Sequence, residues 1–344
     1  MARVSLAGLA ALAAAGMMTA GFASGASAQA VNVYTTRTPD SALPLLTEFS
    51  AQTGVAVNTI YVVGDIAARI TAEGATSPAD LILADFTALA DLAEQGLTQP
   101  VTSAALAAAV PEQLRDPASN WFALSMGATV IYAAADRVDN EALTYEDLAS
   151  PEWAGRICMR SGLDPMNVAL FSAYLAKHGE DETAAYISDL QLNLAREAGG
   201  DDRDAARDLA EGICDVAIGN TTTLGLMHLG LGGPIEQEWA AAIRPIFATF
   251  DDGAGTLPAV TGAALAANAP HPEQAIMLLE FLSSAAGQDV FAIANFEYPI
   301  DATIALEPLT AGFGEFIPDP TPLAEIGANR GIVRGLVEAA GFDG

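Results

Sequence analysis

The sequence predicts an α/β fold built from two lobes, and two observations support this prediction. Apolar, strand-like runs alternate with helix-like segments at the spacing of β–α–β units, which favours a parallel sheet. About 314 residues follow a leader-like N-terminus, and a chain of that length is too long for one compact core. A two-lobed α/β protein accounts for both observations.

The first third of the chain shows the alternation most clearly. Three segments rich in β-branched and apolar residues predict strands: residues 31–34, 55–63 and 79–84. Three segments with the apolar spacing of helices follow them: residues 42–53, 65–73 and 87–95. Gly54 and Gly96 come directly after two of these segments, where helices commonly stop.

The remainder continues the pattern with longer helices. Strands are predicted at residues 128–134, 156–159, 213–218 and 261–266. Helices are predicted at residues 167–178, 182–194, 201–211 and 271–284, with a last helix from Leu323. The run 251–255 is rich in Gly and Asp, which predicts a loop or a hinge.

Residues 1–30 predict a secretory signal peptide rather than part of the fold. Arg3 precedes an apolar run, and small residues at 26, 28 and 30 fit cleavage near residue 28 or 30. An uncleaved membrane anchor is the alternative, but small residues interrupt the run. The mature protein is therefore expected in the periplasm, with no later membrane span.

The formal net charge is −29 at pH 7. A surface this acidic repels nucleic acid and anionic membranes, so neither is expected as a partner. The charge is also what a generic solubility surface carries, and it does not by itself identify the ligand.

The two cysteines, Cys158 and Cys214, predict one disulfide. An exported chain meets an oxidising compartment, and both cysteines lie in strand-like runs that can be neighbours in one sheet. Metal binding by two cysteines alone is disfavoured, because zinc sites usually need four nitrogen or sulfur ligands at close spacing.

No local pattern predicts an enzyme or a bound cofactor. His178, His228 and His271 have no nucleophile or metal-ligand partner at motif spacing, and no phosphate-binding loop is present. A secreted hydrolase would need a base beside Thr222 or Ser161, and no histidine is placed to serve as one.

Polar residues follow the ends of several predicted strands. Ligands of α/β proteins bind beyond the carboxyl ends of strands, so these residues predict one cleft between the lobes. Each also fits the alternative of a helix cap. The candidates are Thr36, Arg37, Thr38, Asp85, Arg160, Ser161, Gly162, Asn220, Thr222 and Thr223.

Several blocks of the chain resemble the periplasmic ferric-iron-binding proteins of bacterial ABC importers, within the extracellular solute-binding protein family. The similarity extends over nearly the whole mature chain. The matching blocks are residues 33–37, 73–80, 156–161, 214–220, 269–273, 281–284 and 295–299.

The resemblance implies a type II periplasmic binding protein-like fold, in which crossing strands form a hinge between two lobes. The expected N-terminal lobe is residues 31–127 plus 253–303, and the C-terminal lobe is residues 128–252 plus 304–344. The resemblance further implies a monomer that delivers a small ligand or an iron species to an inner-membrane ABC permease. A sensor that keeps the fold but serves no importer is the alternative.

The sequence departs from this family at the metal site. Such proteins hold ferric iron with phenolates, often from two adjacent tyrosines, and here Thr222 and Thr223 stand at those positions. Met166 replaces a further tyrosine, and Thr38 and Pro39 replace first-loop ligands. Asp85 alone stands where a carboxylate ligand is expected.

The resemblance also implies that the residues holding the accompanying anion are retained in this sequence. These residues are Ser161, Gly162 and Asn220, with Arg37 nearby. Ferric iron prefers anionic oxygen ligands, whereas threonine hydroxyls stay protonated at neutral pH. The sequence therefore predicts an iron-family importer component whose ligand is a chelated iron species or an anionic organic or phosphate-type molecule.

Overall fold

The computed structural model describes residues 30–37 and 39–344, apart from the side chains of residues 39–45 and 291–293. Residues 1–29 of the predicted signal peptide and Thr38 lie outside the described residues, and Ala30 begins the first strand. Within the described ranges, no helix is both long and apolar enough to span a bilayer.

Strands and helices alternate along the described chain, which confirms the predicted α/β class. The strands are β1 Ala30–Thr35, β2 Ala56–Tyr61, β3 Leu81–Asp85, β4 Thr98–Gln99, β5 Phe122–Ala134, β6 Ile157–Cys158, β7 Val216–Asn220, β8 Ile243–Ile246, β9 Pro258–Ala266 and β10 Tyr298–Pro299. The helices are α1 Pro39–Thr53, α2 Ile66–Glu73, α3 Phe86–Glu94, α4 Ala104–Ala109, α5 Pro165–His178, α6 Glu180–Leu192, α7 Asp202–Ala210, α8 Thr221–Leu229, α9 Pro234–Ala241, α10 Pro272–Ser283, α11 Ala285–Asn295, α12 Pro308–Phe313 and α13 Leu323–Ala340.

The strands are ordered β2-β1-β3-β9-β5-β7-β6 across the sheet. Strand β1 is parallel to β2 and β3, and β6 is parallel to β7. Strand β9 is antiparallel to β3 and β5, and β5 is antiparallel to β7. The sheet is therefore mixed rather than wholly parallel, because two long strands run through its centre against their neighbours.

Strand β5 is longer than the sequence suggests and changes partners midway. Its first half pairs with β9 as far as Ala128 opposite Pro258. Its second half pairs with β7 from Thr129 opposite Asn220, and with β8. All thirteen residues of β5 are buried, so local apolar patterning cannot show where the partner changes. The lobe boundaries predicted above stay a prediction.

The buried apolar residues of the described chain form two clusters. The larger contains Val33, Leu83 and Phe122 from the β1–β3 side, and it continues through Phe171 and Val333. The smaller contains alternate residues of the second half of β5, including Val130 and Tyr132, together with Leu209 and Met227.

The predicted disulfide is confirmed. Cys158 and Cys214 are bonded with a Cα–Cα distance of 5.8 Å, and both are buried in the smaller cluster. Cys158 lies in β6 and Cys214 just before β7, so the bond ties together two neighbouring strands. Strand β7 starts at Val216 rather than at residue 213, because the chain is still turning after α7 there, with the Ile213 N–H donating to the Asp208 carbonyl.

Replacing Gly219 with alanine is expected to lower the free energy of unfolding by about 1–3 kcal/mol. A methyl group at Gly219 would overlap the ring of Tyr132, which is fully buried and cannot move into solvent. Urea unfolding followed by circular dichroism measures the change. Gly331→Ala is the control, since nothing lies within 4 Å of a methyl group there. Equal midpoints for the two variants would contradict the expectation.

Candidate functional site

A cavity of about 470 Å³ lies where β5 changes partners. The loop after β1 and the start of α3 line it from one half of the sheet. The starts of α5, α7 and α8 line it from the other half. Seven of the predicted ligand residues line it: Thr36, Arg37, Asp85, Arg160, Asn220, Thr222 and Thr223.

Four helices begin at this cavity, and three of them are capped by residues that line it. Asp85 caps α3, Asp164 caps α5 and Asn220 caps α8, each by accepting a backbone N–H of the first turn. The positive ends of three helix dipoles therefore converge on the cavity, and this arrangement favours bound anions. The capping alternative and the cleft hypothesis are thus compatible, because the same residues cap helices and line the cavity.

The loop from β7 into α8 is held against strand β5. The Tyr132 hydroxyl donates to the Asn220 carbonyl at 2.5 Å, and the Thr221 hydroxyl accepts the Ala128 N–H at 3.0 Å. Asn220 Oδ1 accepts the Thr223 N–H at 2.7 Å. With these bonds the loop is fixed, and the side chains of Thr222 and Thr223 line the cavity.

Two carboxylates bind Arg160 at the cavity. Its Nε lies 3.0 Å from Asp202, which is fully buried, and its Nη1 lies 3.3 Å from Asp164. Burial disfavours the charged guanidinium, but Asp202 and Asp164 outweigh it and raise the pKa of Arg160. Burial disfavours the charged carboxylate of Asp202 and raises its pKa, and the contacts with Arg160 and Thr223 oppose that rise. Arg160 therefore stays charged at the cavity surface.

Arg37 reaches the cavity from the other side. Its Nη1 lies 2.8 Å from Glu297, a buried carboxylate that also binds the hydroxyl of Ser125. Arg37 donates to Thr261 as well. These contacts attach the loop after β1 to the crossing strand β9 and to the segment before β10.

Asp85 was predicted as the carboxylate metal ligand. It lines the cavity, but its Oδ1 accepts hydrogen bonds from the Thr87 hydroxyl at 2.5 Å and the Ala88 N–H at 3.0 Å. One carboxylate oxygen is thus committed to capping α3. The metal role of Asp85 stays a prediction.

The structure does not bring Ser161 and Gly162 into the lining. The Ser161 hydroxyl and the Gly162 N–H both donate to the Asp343 carboxylate, each at 2.7 Å. Gly162 also packs against Val337 and Phe342 with no room for a side chain. This departs from the predicted anion contacts, because the end of the chain folds back onto the loop after β6.

Several lining residues were missed by sequence reasoning. Arg203, in the first turn of α7, lies at the cavity and binds buried Glu236 at 2.6 Å. Glu297 belongs to a block that matched the family, but nothing local pointed to a role. Three threonines, Thr87, Thr129 and Thr261, were also missed, and only the helix-start position of Thr87 was a signal.

Among the described residues that line the cavity, there is no tyrosine, histidine or cysteine. The lining instead offers hydroxyls, one amide, three guanidiniums and three carboxylates. Met166 stands in this lining beside the two threonines. The cavity as described is suited to hydrogen bonding of a small polar molecule.

Residues 76–312 match the bacterial extracellular solute-binding protein family. The chain belongs to this family. Among curated proteins it is 35% identical to iron uptake protein A1 of Synechocystis, over 91% of this chain and 88% of that protein. It is 27% identical to the Fe(3+)-binding periplasmic protein of Serratia marcescens, with 89% of each covered.

Solved structures of ferric-binding proteins have the same fold. The Bordetella ferric binding protein is 40% identical, with a TM-score of 0.83, over 92% of this chain and 100% of that one. A Trichodesmium protein in complex with iron and citrate is 32% identical, with a TM-score of 0.85, over 91% and 99%. The predicted type II fold and the assignment to the iron-related solute-binding family are confirmed.

Proposed function

We propose that this protein is the periplasmic binding component of an ABC importer and that its ligand is ferric iron chelated by a small organic anion. The observation that carries the proposal is the composition of the cavity. Its described lining combines arginines and helix N-termini, which suit an anion, with no phenolate for a bare ferric ion. A chelate supplies its own anionic ligands to the metal.

The anion would be held by charged and polar donors that the fold already orients. Arg37 and Arg160 face the cavity from opposite sides, and each is fixed by buried carboxylates. A guanidinium has five N–H donors, and the bonds of Arg160 to Asp202 and Asp164 do not use all of them, so Arg160 can also donate to a carboxylate or phosphate. Thr222 and Thr223 add hydroxyls at the start of α8.

The carboxylates of the cavity support a chelate over a bare ion. Asp85 and Asp164 cap helices, and Glu297 binds Arg37. A naked ferric ion would have to compete for each of these oxygens. A cavity of about 470 Å³ also falls within the range of small-molecule sites, roughly 300–1,000 Å³, and is much larger than a single ion.

Relatives with known ligands agree with this assignment. The Synechocystis relative is an iron uptake protein, and the Trichodesmium structure contains iron together with citrate. We infer that the cargo of this protein is of the same class. The protein would act as a monomer that delivers this cargo to an inner-membrane permease. Closure would turn the two sides of the cavity about the crossing strands β5 and β9. No catalytic step is proposed.

Calorimetry with the protein purified in a chelating buffer tests the proposal. Ferric citrate is expected to bind with one-to-one stoichiometry and more tightly than citrate alone. Iron supplied from ferric nitrilotriacetate is expected to give no phenolate-to-iron absorption band. Tight binding of citrate or a sugar phosphate without iron would favour an iron-free anion. Stoichiometric iron with a visible phenolate band would overturn the chelate assignment.

Replacing both Thr222 and Thr223 with alanine is expected to weaken ferric citrate binding. Two lost hydrogen bonds cost about 1–3 kcal/mol together, which is at least about fivefold in the dissociation constant. Titration calorimetry measures the change, with Thr71→Ala, an exposed position of α2, as the control. Unchanged affinity in the double variant would show that the ligand does not contact α8.

A further inference from the structure

A second cluster of ligand-type side chains lies away from the cavity. Glu146, His178 and Asp251 come from three elements: the short helical turn at 146–149, the last residue of α5 and the loop before β9. One potential metal-binding atom from each residue lies within 4.8 Å of the others. None of the three lines the cavity.

The distances within this cluster fit a small cation. His178 Nε2 lies 3.1 Å from Glu146 Oε1 and 3.9 Å from Asp251 Oδ1. Ligand atoms about 2.0–2.2 Å from a tetrahedral zinc ion lie roughly 3.3–3.6 Å from one another. The Glu146 and Asp251 ligand atoms lie within 4.8 Å of each other, and the exposed side chain of Asp251 would move towards the ion on binding.

One oxygen of the cluster has no partner within the described part of the protein. Glu146 Oε2 is buried and accepts no hydrogen bond. Buried polar atoms are normally satisfied, so this carboxylate oxygen is available to a bound cation.

A carboxylate also lies near the other imidazole nitrogen. His178 Nδ1 lies 3.6 Å from the carboxylate of Glu182, in the first turn of α6, which is beyond hydrogen-bond distance. The imidazole ring packs against the ring of Tyr174 at a tilt of 32°, with centroids 4.2 Å apart. This packing and the 3.1 Å contact with Glu146 hold the ring in place.

The charges around this cluster favour a bound cation. Three carboxylates, Glu146, Glu182 and Asp251, surround one imidazole, and the neighbouring Lys177 is bound to Asp252 and Asp319. A divalent ion can contact Glu146 and Asp251 at the same time as His178 Nε2.

From these contacts we propose a divalent transition-metal site of the zinc class formed by Glu146, His178 and Asp251, with solvent completing the coordination. One imidazole and two carboxylates are suitable ligands for zinc. Because Asp251 lies in the loop that leads into the crossing strand β9, bound metal would anchor that loop to the end of α5. This site is separate from the proposed cargo cleft.

Zinc titration of the chelator-treated protein tests the proposal. One Zn²⁺ per chain is expected by calorimetry, with a raised Tm, and His178→Gln should weaken binding at least tenfold. Asp251→Asn, at an exposed loop position, should do the same without a folding defect. His271→Gln, which removes another histidine beside a carboxylate, is the matched control.

The outcome separates this site from the cargo cleft. The Thr222→Ala/Thr223→Ala double variant should bind zinc as the unmodified protein does. No saturable zinc binding, or binding that survives both His178→Gln and Asp251→Asn, would overturn the proposal. Extended X-ray absorption should show a single imidazole ligand, and a zinc ion with no imidazole would equally contradict it.

Discussion

Replacing Arg160 with methionine is expected to lower the free energy of unfolding by about 3–5 kcal/mol. Methionine keeps much of the side-chain volume but leaves Asp202, which has no exposed surface, without its ionic partner. A buried charge without a partner is far more costly than a lost surface ion pair. Urea unfolding at pH 7.5 measures the loss, and ferric citrate affinity should fall as well because Arg160 lines the cavity.

The pH dependence distinguishes an unpaired charge from a simple packing defect. Arg160 opposes the raised pKa of Asp202, so its removal raises that pKa further. When the folded-state pKa of Asp202 is raised, the loss in free energy of unfolding is complete at pH values above that pKa. The loss shrinks as the pH falls towards the unfolded-state pKa of about 3.9. The deficit of the variant should therefore be smaller at pH 5 than at pH 7.5.

A double variant provides the control for this prediction. Arg160→Met with Asp202→Asn removes both charges, and it should recover a large part of the stability lost by Arg160→Met alone. The pH dependence of the deficit should disappear with it. A deficit that is the same at both pH values and in both variants would show that packing, not charge, accounts for the loss.

Removing the disulfide has an effect of similar size. Cys158→Ala with Cys214→Ala is expected to cost roughly 4 kcal/mol, because the bond closes a loop of about 57 residues in the unfolded chain. Alanine is preferred to serine because both positions are buried among apolar residues. Urea unfolding of the oxidised protein and of the double variant measures the difference.

Reduction provides an independent check of the same bond. A thiol reductant should lower the stability of the unmodified protein towards that of the double variant and leave the double variant unchanged. Because neither Cys158 nor Cys214 lines the cavity, reduction under native conditions should leave ferric citrate affinity within about threefold. A large loss would mean that the bond also positions the cavity.

Short-range features were largely predictable from the sequence, because they depend on neighbouring residues. The alternation of strands and helices, the helix starts at Asp85, Asp164 and Asn220 and the loss of the tyrosine pair at Thr222 and Thr223 all depend on local patterns. The disulfide followed from cysteine count and compartment. The family resemblance then implied that these segments meet at one cleft.

Only the tertiary structure shows which side chains meet at that cleft and which of the predicted residues do not line it. Glu297 reaches Arg37 across about 260 residues of chain, and Asp343 draws Ser161 and Gly162 away from the lining. Strand β5 is buried throughout, so its change of partner after Ala128 leaves no local mark. Contacts between distant segments depend on tertiary packing, whereas caps, strands and substituted ligands depend on adjacent residues. Apart from the disulfide, only the latter were inferred from the sequence.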